Sequence, residues 1–275
     1  MCPLEWPGVL LQVFLRLNYW LRALTTVEQV LLITAFVGFA ICALYITIED
    51  HDVLFILAEA VHFIGIGVLA FKLIKERSCG GLSLKSQELT AAFLVIRLYC
   101  SAVMEYDIHT LLDLFTLLAT LWVIYAMRTN LKMTYNMEMD DIELLHILIP
   151  CAITALMAHP VTSHNYLNRV LWALCVYVEA VSVLPQLWMM QKGKIVERFT
   201  ANYLFSLAVA RLLSCAHWIL QMFDAKSYLA TALGSGLWPV MVLFSEVVQT
   251  FILADFCYYY VLSCAEGSEV VRLPV

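Results

Sequence analysis

Apolar runs long enough to cross a membrane recur along the chain, separated by short polar or basic segments. A spanning helix needs about 20 predominantly apolar residues, because the hydrocarbon core of a bilayer is about 30 Å thick. Eight runs approach or exceed that length. They cover residues 27–48, 53–75, 87–105, 109–128, 142–160, 166–190, 199–220 and 238–264. The pattern predicts an all-α polytopic membrane protein.

Two further segments are apolar without being continuous enough to span. Residues 1–26 mix leucines and tryptophans with Arg16 and Arg22, which is typical of an amphipathic segment that lies in the membrane interface. The stretch 227–237 is broken by glycines, and we interpret it as a re-entrant or interfacial lead-in to the last helix. Because no basic leader with a small-residue cleavage site is evident near the start, we disfavour a cleaved signal peptide.

Composition agrees with the membrane assignment and removes several classes of function. Of the 275 residues, 63% are hydrophobic and 14% are charged, against about 45–50% and about 25% in soluble domains. The nine cysteines form no CxxC pair, and neither metal-ligand spacing nor a nucleophile–base pair stands out. We therefore expect no structural disulfide, no metal ion, no cofactor and no enzymatic activity. The charge distribution also excludes nucleic acid as a partner.

The basic residues are distributed very unevenly when the chain is threaded through a membrane from a cytosolic N-terminus. Of the 16 lysines and arginines, 12 then lie in cytosolic segments, one (Lys226) lies on the other side, and Arg97, Arg169 and Arg211 lie inside spans. The 12 cytosolic residues are Arg16, Arg22, Lys72, Lys75, Arg77, Lys85, Arg128, Lys132, Lys192, Lys194, Arg198 and Arg272. The positive-inside rule then predicts that both termini are cytosolic.

Two predicted helices carry an arginine near the middle in similar surroundings. The sequence "VIRLYCSA" at 95–102 matches "VARLLSCA" at 209–216, which aligns Arg97 with Arg211. We interpret the match as a duplication, and a linker of one helix makes the two copies parallel. The repeats would cover about 53–128 and 166–264, with the linker helix at about 142–160.

The two aligned arginines need an explanation, because a guanidinium at membrane depth costs at least about 2.5–3.5 kcal/mol. Their equivalent positions indicate a cavity for an anionic ligand at the interface of the repeats. The alternative is that each arginine forms an ion pair that locks the bundle. The candidate partners for such pairs are Glu59, Asp113, Glu179, Glu246 and Asp255.

Four stretches of the chain carry a resemblance to a known family. They are "RSCGGLSLKSQEL" at 77–89, "VYVEAVSVLPQLWMM" at 176–190, "NYLFSLAVARLL" at 202–213 and "VVQTFILADFCYYYV" at 247–261. Together they resemble the ER lumen protein-retaining receptors, or KDEL receptors, from about residue 55 to residue 274. The resemblance implies a seven-helix core related to SWEET transporters. The chain then divides into a 1–26 segment, an additional transmembrane helix at 27–50, the core at 51–265 and a cytosolic tail at 266–275.

The resemblance also implies a function and a set of site residues. The family captures lumenal proteins by a C-terminal Lys/His-Asp-Glu-Leu signal in the Golgi and returns them to the ER, with binding that depends on pH. We therefore expect a multi-pass protein of the ER and Golgi membranes whose partners are such peptides, the lipid bilayer and vesicle coat components. The matching residues imply a pH switch at His62 and Glu179. The expected ligand-binding residues are Arg97, Arg211, Trp172, Trp218, Asp255 and Arg169.

Several positions depart from the family pattern. Apolar or small residues replace charged or aromatic ones at Phe55, Cys100, Ala210 and Ser214. Arg169 reverses the charge of a cavity glutamate, and Gln221 replaces an arginine. The tail "CAEGSEVVRLPV" contains no lysine, which puts the usual coat contact in doubt. Two alternatives therefore stay open: a divergent relative with other cargo and weak tetrapeptide binding, and a SWEET-like transporter of small solutes.

Overall fold

A computed structural model describes residues 52–104, 108–223 and 237–273, apart from residues 267 and 269. The predicted interfacial segment at 1–26, the additional helix at 27–50 and the lead-in at 227–236 therefore lie outside the described residues. The helices are α1 Asp52–Glu76, α2 Leu84–Met104, α3 Ile108–Arg128, α4 Leu144–Met157, α5 Tyr166–Val181, α6 Leu184–Gly193, α7 Arg198–Phe223 and α8 Trp238–Ala265. A 3₁₀ helix spans Lys132–Thr134, and two short strands are β1 Ile195–Glu197 and β2 Val270–Arg272. The all-α membrane architecture predicted from the sequence is confirmed.

Not every predicted span has the length and hydropathy of a crossing helix. Within the described residues, five helical stretches are long and apolar enough: Val53–Glu76, Thr110–Arg128, Tyr166–Gly193, Arg198–Leu220 and Trp238–Cys264. The helix α2 is 21 residues long but opens with polar residues and contains Arg97, which lowers its mean hydropathy. The helix α4 has 14 residues where 142–160 was predicted, so it reaches only about 21 Å.

The helices pack in the same order in the two halves of the chain. In the first half α3 packs against both α1 and α2, and in the second half α8 packs against both α5 and α7. Across the halves α1 packs against α7, α2 packs against α5, and α4 rests on α5. A duplicated three-helix unit would produce this order, and the duplication itself stays a prediction from the sequence.

The span predicted at 166–190 is one crossing with a break in it. The helix α5 ends at Val181 and α6 begins at Leu184 with Pro185 in its first turn. A proline has no N–H to donate and its ring clashes with the preceding turn, so the helical ladder cannot run through this point. The Ser182 hydroxyl donates to the carbonyl of Glu179 at 2.9 Å and closes the end of α5. The break therefore lies just beyond Glu179.

The tail of the chain is folded rather than free at one end of the bundle. Strand β2 pairs antiparallel with β1, with Val271 opposite Val196, and both valines are buried. The Leu273 N–H donates to the carbonyl of Lys194 at 3.1 Å. We call this end, formed by residues 77–83, 129–143, 194–197 and 268–273, the sheet end, and the opposite end of the bundle the far end. The tail predicted at 266–275 therefore pairs with β1 in its described part, and its cytosolic location stays a prediction.

Two of the family-like motifs meet at the sheet end. The Gln186 side chain accepts a hydrogen bond from the Ser83 N–H and donates to the carbonyl of Gly81, both at 2.8 Å. Gly81 has φ +75°, a conformation that favours glycine. The Ser83 hydroxyl accepts from the N–H of Ser86 at 3.1 Å and so caps α2. The loop "RSCGGLS" and the segment "LPQL" are therefore one structural unit.

Asp140 closes the same unit and is almost fully buried. Its carboxylate accepts from the Ser83 hydroxyl at 2.8 Å, the Lys85 N–H at 3.2 Å and the Tyr135 hydroxyl at 2.7 Å. Burial and the neighbouring Asp140 carboxylate raise the pKa of Tyr135 above its usual range. The phenol therefore stays protonated and remains a donor.

We predict that Asp140→Asn lowers the free energy of unfolding by about 2–4 kcal/mol, because an amide cannot accept all three hydrogen bonds of a buried carboxylate. Denaturant unfolding in micelles measures the change. The neighbouring Asp141→Asn is the matched control, because Asp141 is exposed and contacts Lys192 and Trp188 at the surface. Equal effects of the two substitutions would contradict the structural role of Asp140.

Candidate functional site

Arg97 joins three helices through three carboxylates. Its guanidinium donates to Glu59 of α1 at 2.8 Å, to Asp113 of α3 at 2.8 Å and to Glu179 of α5 at 2.9 Å. A second Asp113 oxygen accepts from Nη2. The three carboxylates are buried, with exposed fractions of 5%, 2% and 9%. Charge-assisted contacts of this kind are stronger than neutral hydrogen bonds and constrain the geometry of both partners.

Arg211 reaches the same carboxylate from α7. Its Nη1 donates to Glu179 Oε1, the oxygen that also accepts from Arg97. Among the described residues this is the one side-chain hydrogen bond of Arg211. Arg97 is thus held by three acids and Arg211 by one. We refer to Glu59, Arg97, Asp113, Glu179 and Arg211 as the arginine cluster.

An aromatic ring holds the two guanidiniums and a histidine together. The guanidinium carbons of Arg97 and Arg211 lie 5.4 and 5.7 Å from the centroid of the Phe93 ring. The His62 ring stacks on the same ring at 6.4 Å and 23°. Cations are attracted to the face of an aromatic ring, so Phe93 favours the approach of both arginines despite their like charge.

His62 lies at the edge of the cluster with an unused polar atom. It is 3% exposed, and its Nε2 has no hydrogen-bond partner among the described residues. It follows Glu59 by three residues on α1, which places the two side chains on the same helix face. A buried polar atom without a partner is unfavourable, so this nitrogen is a candidate for proton or ligand binding.

Four of the predicted site residues are not brought into the arginine cluster. Arg169 donates to the carbonyl of Pro160 at 2.6 Å and contacts His159 Nδ1 at 3.1 Å, in the loop that precedes α5. Asp255 is exposed on α8 and makes no ion pair with the described residues. Trp172 packs against Trp238, and Trp218 packs in the same apolar core.

Three of the five acids considered as arginine partners do belong to the cluster. Glu59, Asp113 and Glu179 bind arginine, and Glu246 lies within electrostatic range of Arg211 and Glu179. An acid inside an apolar run was the sequence signal that pointed to all of them. Phe93 was missed, because one phenylalanine among many apolar residues carries no signal in the sequence.

The residues that depart from the family pattern lie on helices that contribute to the arginine cluster. Phe55 packs against His217 of α7 with ring centroids 5.3 Å apart. Ala210 and Ser214 flank Arg211 on α7, and Cys100 follows Arg97 by one helical turn; all three are buried. The side chain of Gln221 lies outside the described part of the structure.

No cluster of three or more histidine, cysteine, aspartate or glutamate side chains suited to a metal ion is found in the described ranges. The chemistry open to the site is therefore that of its own charges. Its guanidiniums can bind carboxylates of a ligand, and its carboxylates and His62 can exchange protons or bind cations.

Comparison with known proteins identifies relatives over most of the chain. The sequence model described as ER lumen protein retaining receptor matches residues 78–221. An ER lumen protein-retaining receptor of Caenorhabditis elegans is 31% identical over 222 residues, covering 79% of this chain and 97% of that protein. The ER lumen protein-retaining receptor of Drosophila melanogaster is 31% identical over 218 residues, covering 78% and 94%. The ER lumen protein-retaining receptor 3 of Xenopus laevis is 31% identical over 225 residues, covering 80% and 98%.

Proposed function

Because the chain belongs to the ER lumen protein retaining receptor family, we propose that it is a membrane receptor for C-terminal retention signals of the Lys/His-Asp-Glu-Leu type. The observation that carries the proposal is the Arg97–Glu179–Arg211 arrangement over Phe93, with His62 stacked on the same ring. In this reading the ligand is an acidic peptide with a free carboxylate, which matches the two guanidiniums in charge and in hydrogen-bond geometry.

Arg211 is the better placed of the two arginines to receive a ligand. Three carboxylates from three helices occupy the Arg97 guanidinium, whereas Arg211 donates to Glu179 alone among the described residues. A ligand carboxylate can therefore add to Arg211 without displacing several existing partners. Arg97 in turn positions Glu179 and holds α1, α3 and α5 in place.

Protonation of His62 would make peptide binding stronger at acid pH than at neutral pH, as expected for this family. Histidine changes charge between about pH 5 and pH 8 unless it is strongly perturbed. Three charged groups act on the buried His62: the guanidiniums of Arg211 and Arg97 oppose its protonation and the Glu179 carboxylate favours it, while Glu59 lies on the same face of α1. A ligand carboxylate that binds the guanidiniums would reduce their opposition and so favour the protonated imidazole. A protonated His62 adds a positive charge beside Glu179 and weakens the ion pair between Glu179 and Arg211. Acid pH thereby favours binding of an anionic peptide, and neutral pH favours its release.

The altered positions weaken recognition of the standard signal in this proposal. Phe55, Cys100, Ala210 and Ser214 offer fewer charges or donors than the family pattern at the same places. A typical charged hydrogen bond contributes about 1.5–3 kcal/mol, so losing two or three lowers affinity by at least about 10²–10³. We therefore propose that the receptor binds the standard tetrapeptide weakly, or that its preferred cargo carries a different signal.

The family suggests a location in the ER and Golgi membranes, and we propose that the far end of the bundle faces the lumen. The charge count favours cytosolic termini, which would place the sheet end in the cytosol. A peptide would then enter from the far end, where α7 carries Arg211 towards the lumen. A coat contact would use the sheet end, although the tail contains no lysine.

The testing experiment is binding of labelled peptides ending in Lys-Asp-Glu-Leu or His-Asp-Glu-Leu to the purified full chain at pH about 5.5 and about 7.4. We expect weak binding that is stronger at the acid pH, and loss of this difference in His62→Ala. His146→Ala is the matched control, because His146 is exposed near the sheet end. Tight binding that does not change with pH would contradict the proposal.

A further inference from the structure

Two oxygen atoms on one face of α8 lack hydrogen-bond partners, and a threonine hydroxyl lies beside them. Glu246 Oε2 and Gln249 Oε1 have no hydrogen-bond partner among the described residues, and Thr250 hydrogen-bonds to the thiol of Cys215 on α7. The spacing of i, i+3 and i+4 places these side chains on the same side of the helix. We call Glu246, Gln249 and Thr250 the acceptor face of α8. Buried polar atoms in folded proteins are nearly always paired, so two adjacent exceptions indicate a missing partner.

The acceptor face is buried against α7. Glu246 and Gln249 are 4% and 2% exposed. The other oxygen of Glu246 is engaged, because the side chains of Ser214 and Gln249 hydrogen-bond to this carboxylate. Thr250 lies beside Cys215, the residue that follows Ser214 on α7. The unpaired oxygens thus lie in the interface between α7 and α8 and not on the membrane-facing surface.

The charge near this face is unbalanced. Arg97 and Arg211 supply two positive charges, whereas Glu59, Asp113, Glu179 and Glu246 supply four negative ones when all are ionised. Arg211 acts on Glu246 electrostatically but donates its hydrogen bond to Glu179. Glu246 forms no ion pair within the described part of the chain. A buried carboxylate without a cation is strongly unfavourable in an apolar setting.

The missing partner should be a cation that donates several hydrogen bonds. An ammonium group has three N–H donors and no acceptor, which suits a carboxylate oxygen and an amide oxygen that both lack donors, with a hydroxyl oxygen beside them. A divalent metal ion fits less well, because Ca²⁺ takes six to eight oxygen ligands and Zn²⁺ favours histidine and cysteine. No metal-suited cluster of acids, histidines or cysteines occurs in the described residues.

We propose that the acceptor face of α8 binds a protonated primary amine, with Glu246 as the charged contact and Gln249 and Thr250 as neutral acceptors. In a peptide ligand this amine would be a lysine side chain. This assignment of the amine to a peptide rests on the proposed function. Arg211 on α7 would then bind a carboxylate of the ligand, and Glu246 on the neighbouring α8 would bind the ammonium group of the same ligand.

The amine site is tested first without any peptide. The full chain in lipid nanodiscs is unfolded by heat in the presence of ethylammonium, of tetramethylammonium, which has the charge but no N–H donor, and of propanol, which has no charge. We expect ethylammonium alone to stabilise the protein. In Glu246→Gln the half-saturating concentration should rise at least about tenfold. Glu266→Gln, which removes an exposed acid at the other end of the same helix, should respond like the unmodified chain.

A stabilisation shared by all three solutes, or unchanged in Glu246→Gln, would overturn the amine site. The source of the amine is tested separately with peptides that carry either lysine or norleucine four residues from the C-terminus. A preference for lysine that falls at least about tenfold in Glu246→Gln assigns the amine to the peptide. Equal binding of both peptides, with ethylammonium stabilisation intact, would overturn that assignment and keep the site for a free amine. Absence of all peptide binding would contradict the proposed function and leave the ethylammonium result to decide the amine site.

Discussion

Replacing Arg97 with methionine is expected to lower the free energy of unfolding by about 3–5 kcal/mol. The substitution keeps an unbranched apolar stem but removes the guanidinium, and so leaves Glu59, Asp113 and Glu179 buried without the cation that joins them. Because these acids belong to α1, α3 and α5, the loss falls on the contacts between helices. Denaturant titration of the purified chain in micelles, followed by tryptophan fluorescence, measures the change.

The matched control for this substitution is Arg128→Met at the sheet end of α3. Arg128 also forms an ion pair, with Glu88 of α2, but its side chain is 61% exposed. Exposed ion pairs contribute at most about 1 kcal/mol, since water screens them. Similar losses for the two substitutions would show that burial of the arginine cluster does not determine its contribution. Arg97→Lys should give an intermediate loss, because an ammonium keeps the charge but not the planar fork.

Replacing Arg211 with leucine is expected to reduce peptide affinity at acid pH by at least about a hundredfold. Arg211 is the arginine with the fewest partners, so a ligand carboxylate would depend on it most. The loss of stability should be smaller than for Arg97→Met, because Glu179 keeps its contact with Arg97 at 2.9 Å. We therefore expect Arg211→Leu to lower mainly the peptide affinity and Arg97→Met to lower mainly the free energy of unfolding.

Binding of the labelled retention peptides at pH about 5.5 measures the first effect, and unfolding in the same micelles measures the second. The exposed Arg128→Met variant serves again as the control for a lost positive charge. If Arg211→Leu bound peptide like the unmodified chain, the arginine cluster would be only a lock that holds the helices together. That outcome would favour the ion-pair interpretation of both arginines.

The arginine cluster can hold the helices together through ion pairs and also bind a ligand in this structure. The sequence suggested two equivalent arginines with one role, either in ion pairs or in a cavity. In the structure the two are not equivalent, because Arg97 has three carboxylate partners and Arg211 has one. Duplicated positions can diverge in this way when one copy acquires neighbours that the other lacks. Asp113, for example, binds Arg97 and not Arg211 among the described residues.

The tail shows a similar limit of sequence reasoning. Residues 266–275 were predicted only as a cytosolic tail, and nothing in their sequence indicates that they pair with another segment. The matching strand is β1, Ile195–Glu197, which lies directly before α7. A two-stranded pairing depends on which segments the bundle brings to the same place, and a short stretch of sequence does not encode that.

What the sequence by itself determined is the class of protein, the positions of most helices and the family. Apolar length, basic loops and the motifs around Gly81 and Pro185 act locally, so each can be recognised without knowing its neighbours. The tertiary structure alone decided which acids meet Arg97, that Phe93 lies under both guanidiniums, and that Asp255 and Arg169 lie outside the cluster. These facts depend on the rotation and depth of each helix relative to the others. Both are determined by packing across the whole bundle, to which residues far apart in the chain contribute together.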